Sequence, residues 1–182
     1  LPEGRYEVTL ECEFHPASMK VLVATLPGES DRTVLLNGHN CHPFQANDDI
    51  SGCAVGIAAM RALAQRRNRR LTYQLMIAPE LLGPMFWLFR DCPDPARIEG
   101  ALLLKSVGND GPIRLQHSFT GAAAIDRAAR AAADAQAEAP VQAGAFRTVY
   151  GNDEIIFEAP GFEIPTVEYT RTPFEQYHSD QD

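Results

Sequence analysis

Between Gly38 and Gly52 the chain gathers His39, Cys41, His42, Asp48 and Asp49 into one short loop. Neutral imidazoles and carboxylates so close in sequence are the donor set that first-row divalent metals take. A catalytic zinc needs two or three protein ligands and an open position for water. His39, His42 and Asp48 could supply them locally, and His178, far down the chain, could complete the set. Asp48 has a second reading as a helix N-cap, but Asp49 is the better cap by position and leaves Asp48 free. For His42 alone, an ordinary hydrogen-bonded loop histidine is the competing reading. Cys41 between two imidazoles invites a Cys–His nucleophile, yet no oxyanion motif accompanies it. Glu80 follows an apolar run directly. A partly desolvated carboxylate at the mouth of a strand suits a general base, with a surface turn residue as the alternative. His15 and His117 fall within strand-like runs and read as structural.

These groups act together only if the elements between them bring them to one place. The β-branched and apolar run Thr33-Val34-Leu35-Leu36 predicts a buried strand that delivers the histidine loop, and residues 51–66 carry helical periodicity. Strands are also predicted at residues 5–14 (half-buried, by alternation), 20–25, 71–78, 100–107, 113–118 and 164–169. Short helical stretches are predicted at 81–90 and 153–158, and an Ala-rich helix at 121–137. Residues 146–150 read as loop or edge strand, and 171–182 as loop. Strands alternating with helices predict an α/β fold: a three-layer sandwich around a mostly parallel mixed sheet. Sites in such sheets form at the carboxyl ends of strands. His39 to Asp49, Glu80, residues 108–110 and Thr170 to His178 all fall there.

The formal net charge of −8 argues against nucleic acid or an anionic membrane surface as partner. No apolar run is long enough to span a bilayer. The four cysteines include no CxxC pair, which disfavours a structural zinc site and suits free thiols in a reducing compartment such as the cytoplasm. Residues 1–182 are expected to form a single domain. The opening at Leu1 without Met, and the end just after His178, suggest an excerpt of a longer polypeptide with additional domains.

Taken in order, these segments resemble the zinc aminopeptidase superfamily of clan MH, aminopeptidase Y type. That family places His-x-Asp after a strand, where this chain has Gly38-His39-Asn40-Cys41. Its next loop is matched by Ala46-Asn47-Asp48-Asp49-Ile50-Ser51-Gly52, and its Glu-Glu-x-Gly by Glu80-Leu81-Leu82-Gly83. Asn152-Asp153-Glu154, Pro160-Gly161-Phe162-Glu163-Ile164-Pro165 and Tyr177-His178-Ser179 close the series. The His-x-Cys-His-Pro form further resembles a branch of proteins with an aminopeptidase-like domain, some of them labelled polysaccharide biosynthesis proteins.

The resemblance implies a zinc-exopeptidase-like fold and a hydrolase that splits an amide with zinc-activated water, Glu80 serving as base. It implies a small peptide or aminoacyl-type substrate. Cys41, Leu81 and Lys105 or Ser106 stand where the family has metal-site carboxylates. The resemblance therefore implies one Zn2+ per chain, held by Asp48, His178 and His42, with His39 as alternate ligand or as a group hydrogen-bonded behind the ligands. Asp153, Arg171 and Tyr177 are implied contacts for the substrate or for the oxyanion. A metal-stabilised scaffold without activity, or transfer and cyclisation on the same fold, are the alternatives.

Overall fold

The computed structural model describes residues 2–136 and 141–182. Its strands are β1 (Leu22–Leu26), β2 (Thr33–His39), β3 (Thr72–Ala78), β4 (Ile98–Lys105), β5 (Arg114–Gln116), β6 (Gln142–Gly144) and β7 (Thr166–Thr170). Its helices are α1 (Gly52–Ala64), α2 (Leu82–Phe86), α3 (Ala124–Gln136) and α4 (Glu154–Phe157). The strands form one mixed sheet in the order β1-β3-β2-β4-β7-β5-β6. The central strands β3, β2, β4 and β7 are parallel, whereas β1 joins β3 and β5 joins β7 in antiparallel fashion.

Alternation along the central strands sorts their side chains onto two faces. Leu35, Met76, Ala101 and Leu103 point to one face and pack with Trp87, Leu88 and Phe157. Leu36, Leu75 and Leu104 point to the other, under Met60 of α1. On that second face Ala129 and Ala133, four residues apart on α3, pack with Leu115 and Val167. Helices therefore cover both sides of the sheet, as the sequence predicts for a three-layer α/β sandwich. α1 comes close because it starts on glycine. A Cβ on Gly52 would stand 2.0 Å from the Leu104 carbonyl oxygen and 2.4 Å from Asp49 Oδ1.

One expectation needs correction. Residues 5–14 form no strand and are exposed throughout. Alternation reports which side of a strand could be buried; it does not supply a neighbouring strand to pair with. Of the two readings of residues 146–150, loop is the one observed, and the edge strand is β6, a few residues earlier. The expected helix at 121–137 is α3, whose predicted last residue lies outside the described residues. The four cysteines are unpaired. No helix among the described residues is long and apolar enough to cross a membrane.

The far side of β7 holds buried acids. Glu154 is fully buried, with its Oε2 accepting from the Asn152 N–H. Burial pushes its carboxyl up to about 7, against the opposing pull of that N–H and of Arg147. A carboxyl raised in the folded state favours folding below its unfolded pKa of about 4.5, and that contribution disappears as pH rises through 7. Glu154→Gln removes the titration. The variant should match the wild type near pH 4.5 and exceed it by about 3 kcal/mol at pH 8. Urea unfolding of both proteins at the two pH values, with metal content held equal, measures this. A stability difference independent of pH would show that Glu154 is not protonated in the fold.

Candidate metal centre

The site sits at the carboxyl ends of the parallel strands, where β2 lies between β3 and β4. The chain leaves β2 for α1 and returns as β3 on one side, while β4 lies on the other. This reversal of strand order opens a crevice at the strand ends. His39 ends β2, Lys105 ends β4, Glu80 follows β3, and the loop after β7 returns His178.

Asp48 and Asp49 divide the work. Asp49 is structural: its Oδ2 accepts from the His39 N–H (3.1 Å), and its Oδ1 from the N–H groups of Ser106 (3.0 Å) and Gly52 (3.2 Å). One carboxylate thus ties the ends of β2 and β4 to the start of α1. Burial raises its carboxyl to about 7. Asp48 is fully buried, and its two oxygens face different groups. Oδ2 lies 3.5 Å from His42 Nε2 and 3.1 Å from His178 Nε2. Oδ1 lies 2.6 Å from Lys105 Nζ and 3.0 Å from His39 Nε2. The backbone N–H groups of Asn47 and Asp48 donate to Asp182 Oδ2 (3.0 and 2.9 Å), so Asp182 closes over this turn.

His42, Asp48 and His178 bring their ligand atoms within 4.8 Å of one another. Asp48 Oδ2 and His42 Nε2 are buried and have no hydrogen-bond partner. Buried polar atoms normally find one. Zinc bonds of about 2.0–2.1 Å in a tetrahedron place ligand atoms about 3.3 Å apart, close to the spacings around Asp48. The orphaned atoms and this spacing fit a divalent ion of the zinc type. His42 is oriented by its Nδ1, which is 2.9 Å from the Pro43 carbonyl oxygen; this fixes Nδ1 as the donor and leaves Nε2 as the ligand atom. Tyr177 stacks on His178 with centroids 3.8 Å apart, and its hydroxyl bonds to that of Tyr150. His39, Cys41 and His42 form a second possible donor group, but Cys41 is exposed and the group contains no carboxylate.

His39 is committed elsewhere. Its Nε2 lies against Lys105 Nζ, and its Nδ1 is 3.4 Å from Cys41 Sγ. Burial holds this imidazole below its ordinary pKa, against the raising pull of its hydrogen bond to Asp48. Lys105 is itself buried. Burial works to strip its proton, but the hydrogen bond and charge of Asp48 outweigh that and hold it as an ammonium. Burial also works against the charge on Asp48, and the His39 contact and the Lys105 charge nevertheless keep its carboxyl well below the usual range.

Glu80 Oε1 accepts from Asn152 Nδ2 at 2.8 Å and lies 3.8 Å from Lys105 Nζ. The residue after it, Leu81, has φ +58, and its N–H donates to Asp153 Oδ1 at 2.6 Å. A non-glycine residue in this left-handed region is strained and needs such support. Asp153, expected at the substrate, is fully buried under Glu80 and holds that turn; burial raises its carboxyl to about 7. Arg171, likewise expected at the substrate, donates to the Gly111 carbonyl and braces the turn after β4. Tyr177 lies beside His178 as described. Sequence reading passed over Lys105 as a site cation, Asn152 and Tyr150. For Lys105 a signal was present: a lysine closing the apolar run Leu102-Leu103-Leu104 must meet a carboxylate if it is buried.

The family described as Domain of unknown function (DUF4910) matches residues 12–182. A Clostridium acetobutylicum protein named for polysaccharide biosynthesis and an aminopeptidase-like domain is 27% identical over the whole chain, which spans 42% of that protein's length. A crystal structure of a candidate peptidase from the same organism superposes with a TM-score of 0.79 at 26% identity, covering 87% of this chain and 37% of that one. Porphyromonas gingivalis glutaminyl cyclase (TM-score 0.71, 17% identity, 90% and 68% covered) and a Zn-dependent exopeptidase from Parabacteroides distasonis (0.70, 17%, 90% and 70%) share the fold. The seven-stranded sheet with helices on both faces is thus a zinc-exopeptidase-like α/β fold, and the chain spans less than half the length of the two Clostridium acetobutylicum proteins it matches. With nearly its whole length matched, this chain belongs to the DUF4910 family and carries an aminopeptidase-like fold.

Proposed function

We propose that this chain forms the catalytic core of an aminopeptidase-like, zinc-dependent amide hydrolase, with one zinc held by His42, Asp48 and His178. The observation that carries the reading is the pair of buried, unpartnered atoms, Asp48 Oδ2 and His42 Nε2, turned toward each other beside His178 Nε2. Zinc held there would polarise the scissile carbonyl and acidify water. Glu80 takes a proton from the attacking water as its oxygen joins the amide carbon. Glu80 then returns that proton to the leaving nitrogen as the C–N bond breaks. Asn152 and the Leu81–Asp153 bond hold Glu80 in place for both transfers.

Cyclisation is the second reading. Glutaminyl cyclases are among the structural neighbours. The same base would take a proton from the substrate's own amine as it attacks its side-chain amide, then pass it to departing ammonia.

Purified protein loaded with zinc should retain about one equivalent per chain. Elemental analysis after desalting measures this, and two tightly held ions would contradict it. A panel of aminoacyl-arylamides and N-terminal glutaminyl peptides then separates the chemistries. Release of arylamine supports hydrolysis, and loss of the free amine with release of ammonia supports cyclisation. One bound zinc without turnover on either panel would instead make the fold a metal-stabilised binding domain.

A further inference from the structure

We infer that Asp182 is a positioning residue of this site: by accepting from the Asn47 and Asp48 N–H groups it pins the turn that carries His178 to the loop that carries Asp48, and so sets how tightly the ion is held. The inference deepens the zinc reading above and rests on it for the identity of the ligands.

The candidate ligands come from two separate loops. His42 and Asp48 follow β2, and His178 follows β7. The sheet places β4 between those strands, so the second loop must cross the end of β4 to bring His178 to Asp48. Burial does not hold it there, because the His178 side chain is 57% exposed. Its backbone has φ +60, a left-handed conformation that a non-glycine residue keeps only with outside support. Close packing does not hold it either. A cleft of about 340 Å³ is lined by Ala46, Asn47 and Ser51 of the first loop and by Phe174, Gln176 and Gln181 of the second. Among the described residues, and apart from the His178–Asp48 contact itself, the hydrogen bonds from residues 172–182 to residues 40–51 are the two that Asp182 accepts.

The turn between His178 and Asp182 is bonded to itself. The Ser179 N–H and hydroxyl both donate to the Gln176 carbonyl oxygen (3.0 and 2.7 Å), and the Gln181 N–H donates to Ser179 Oγ (3.1 Å). His178 and Asp182 therefore move as one unit, and fixing one fixes the other. At its far end Asp182 grips the N–H of Asp48 itself and of the residue before it. Two successive N–H groups converging on one oxygen form a nest for an anion, and bonds to a carboxylate are the strong kind. The carboxylate thus acts on both ligands at once, on Asp48 through its backbone and on His178 through the turn. Groups that orient metal ligands in this way commonly change metal affinity by about 10–100-fold.

The test measures zinc dissociation constants for the whole chain by competition with a chromophoric chelator, with folding checked by circular dichroism. Asp182→Ala should bind zinc about 10–100-fold more weakly than wild type. Asp182→Asn keeps an oxygen that can accept both N–H groups and should recover most of that loss, which a role resting on charge alone would not allow. Asp180→Ala removes the same charge from an exposed position of the same turn and should leave the constant unchanged. Equal affinity in wild type and Asp182→Ala overturns the inference, as does an Asp182→Asn no better than Asp182→Ala. Amide hydrogen exchange of the metal-free protein keeps this test apart from the zinc reading. The Asn47 and Asp48 N–H groups should exchange roughly tenfold or more faster in Asp182→Ala than in wild type or Asp182→Asn. A wild type that binds no zinc defeats the reading above, while unchanged exchange at these two groups overturns the clamp whether or not zinc binds. If Asp182→Ala does not fold, Asp182→Ser, whose hydroxyl is too short to span the two N–H groups, carries the same expectation. Failure of both to fold overturns the inference, because Asp182 would then hold the domain and not the site.

Discussion

Replacing Glu80 with glutamine is expected to lower turnover by about two to four orders of magnitude, the usual size of a general-base effect. That corresponds to about 3–5 kcal/mol of lost transition-state stabilisation. Glutamine keeps the shape of the side chain and an oxygen that can accept from Asn152 Nδ2. It cannot take a proton. The substitution should therefore spare the fold, and metal content should stay unchanged because Glu80 lies outside the His42–Asp48–His178 group. Lys105 Nζ lies 3.8 Å from Glu80 Oε1 and also contacts Asp48. The measurement is single-turnover and steady-state kinetics on whichever substrate the panel identifies, alongside circular dichroism and elemental analysis. Turnover unchanged in a folded, metal-loaded Glu80→Gln protein would remove Glu80 from the mechanism.

Truncating the three proposed ligands should abolish stoichiometric metal binding, with unequal effects on the fold. The His178 side chain is 57% exposed and His42 is 28% exposed. His178→Ala and His42→Ala should lose the ion and leave a folded protein. Asp48→Ala should lose the ion and also destabilise the fold by about 3–5 kcal/mol, because it leaves the buried Lys105 ammonium without its partner. His15 and His117 serve as controls. His15 pairs with Glu13 on the surface, and His117 Nδ1 is 3.0 Å from Asp126 Oδ1, away from the cluster. Their alanine variants should keep the metal. Zinc retained at full stoichiometry in Asp48→Ala would place the ion elsewhere, with His39, Cys41 and His42 the next group to examine.

Much of this molecule was legible in the sequence because much of it is local. The apolar run before His39 had to be a buried strand, the Ala-rich stretch after Ser51 had to be a helix, and the polar loop between them had to lie at a strand end. Glu80 was visible for the same reason, as a carboxylate immediately after β3. The order of such segments was enough for the α/β class. What the sequence left open was every question about distance across the sheet.

Only the tertiary structure separates His39 from His42. The two differ by three residues, yet one nitrogen meets Lys105 and the other faces Asp48 Oδ2 and His178. That outcome depends on β4 lying beside β2, which brings Lys105 to the end of β2, and no local pattern specifies which strand becomes the neighbour. The buried supports of the Glu80–Leu81 turn are likewise distant in sequence: Asn152 is 72 residues from Glu80, and Asp153 is 72 residues from Leu81. Residues 5–14 show the reverse case: a strand-like alternation that finds no partner and stays exposed. Periodicity constrains which face of an element can be buried; pairing across the sheet decides what that face meets, and here it sets which histidine stands against Lys105 and which faces Asp48 Oδ2.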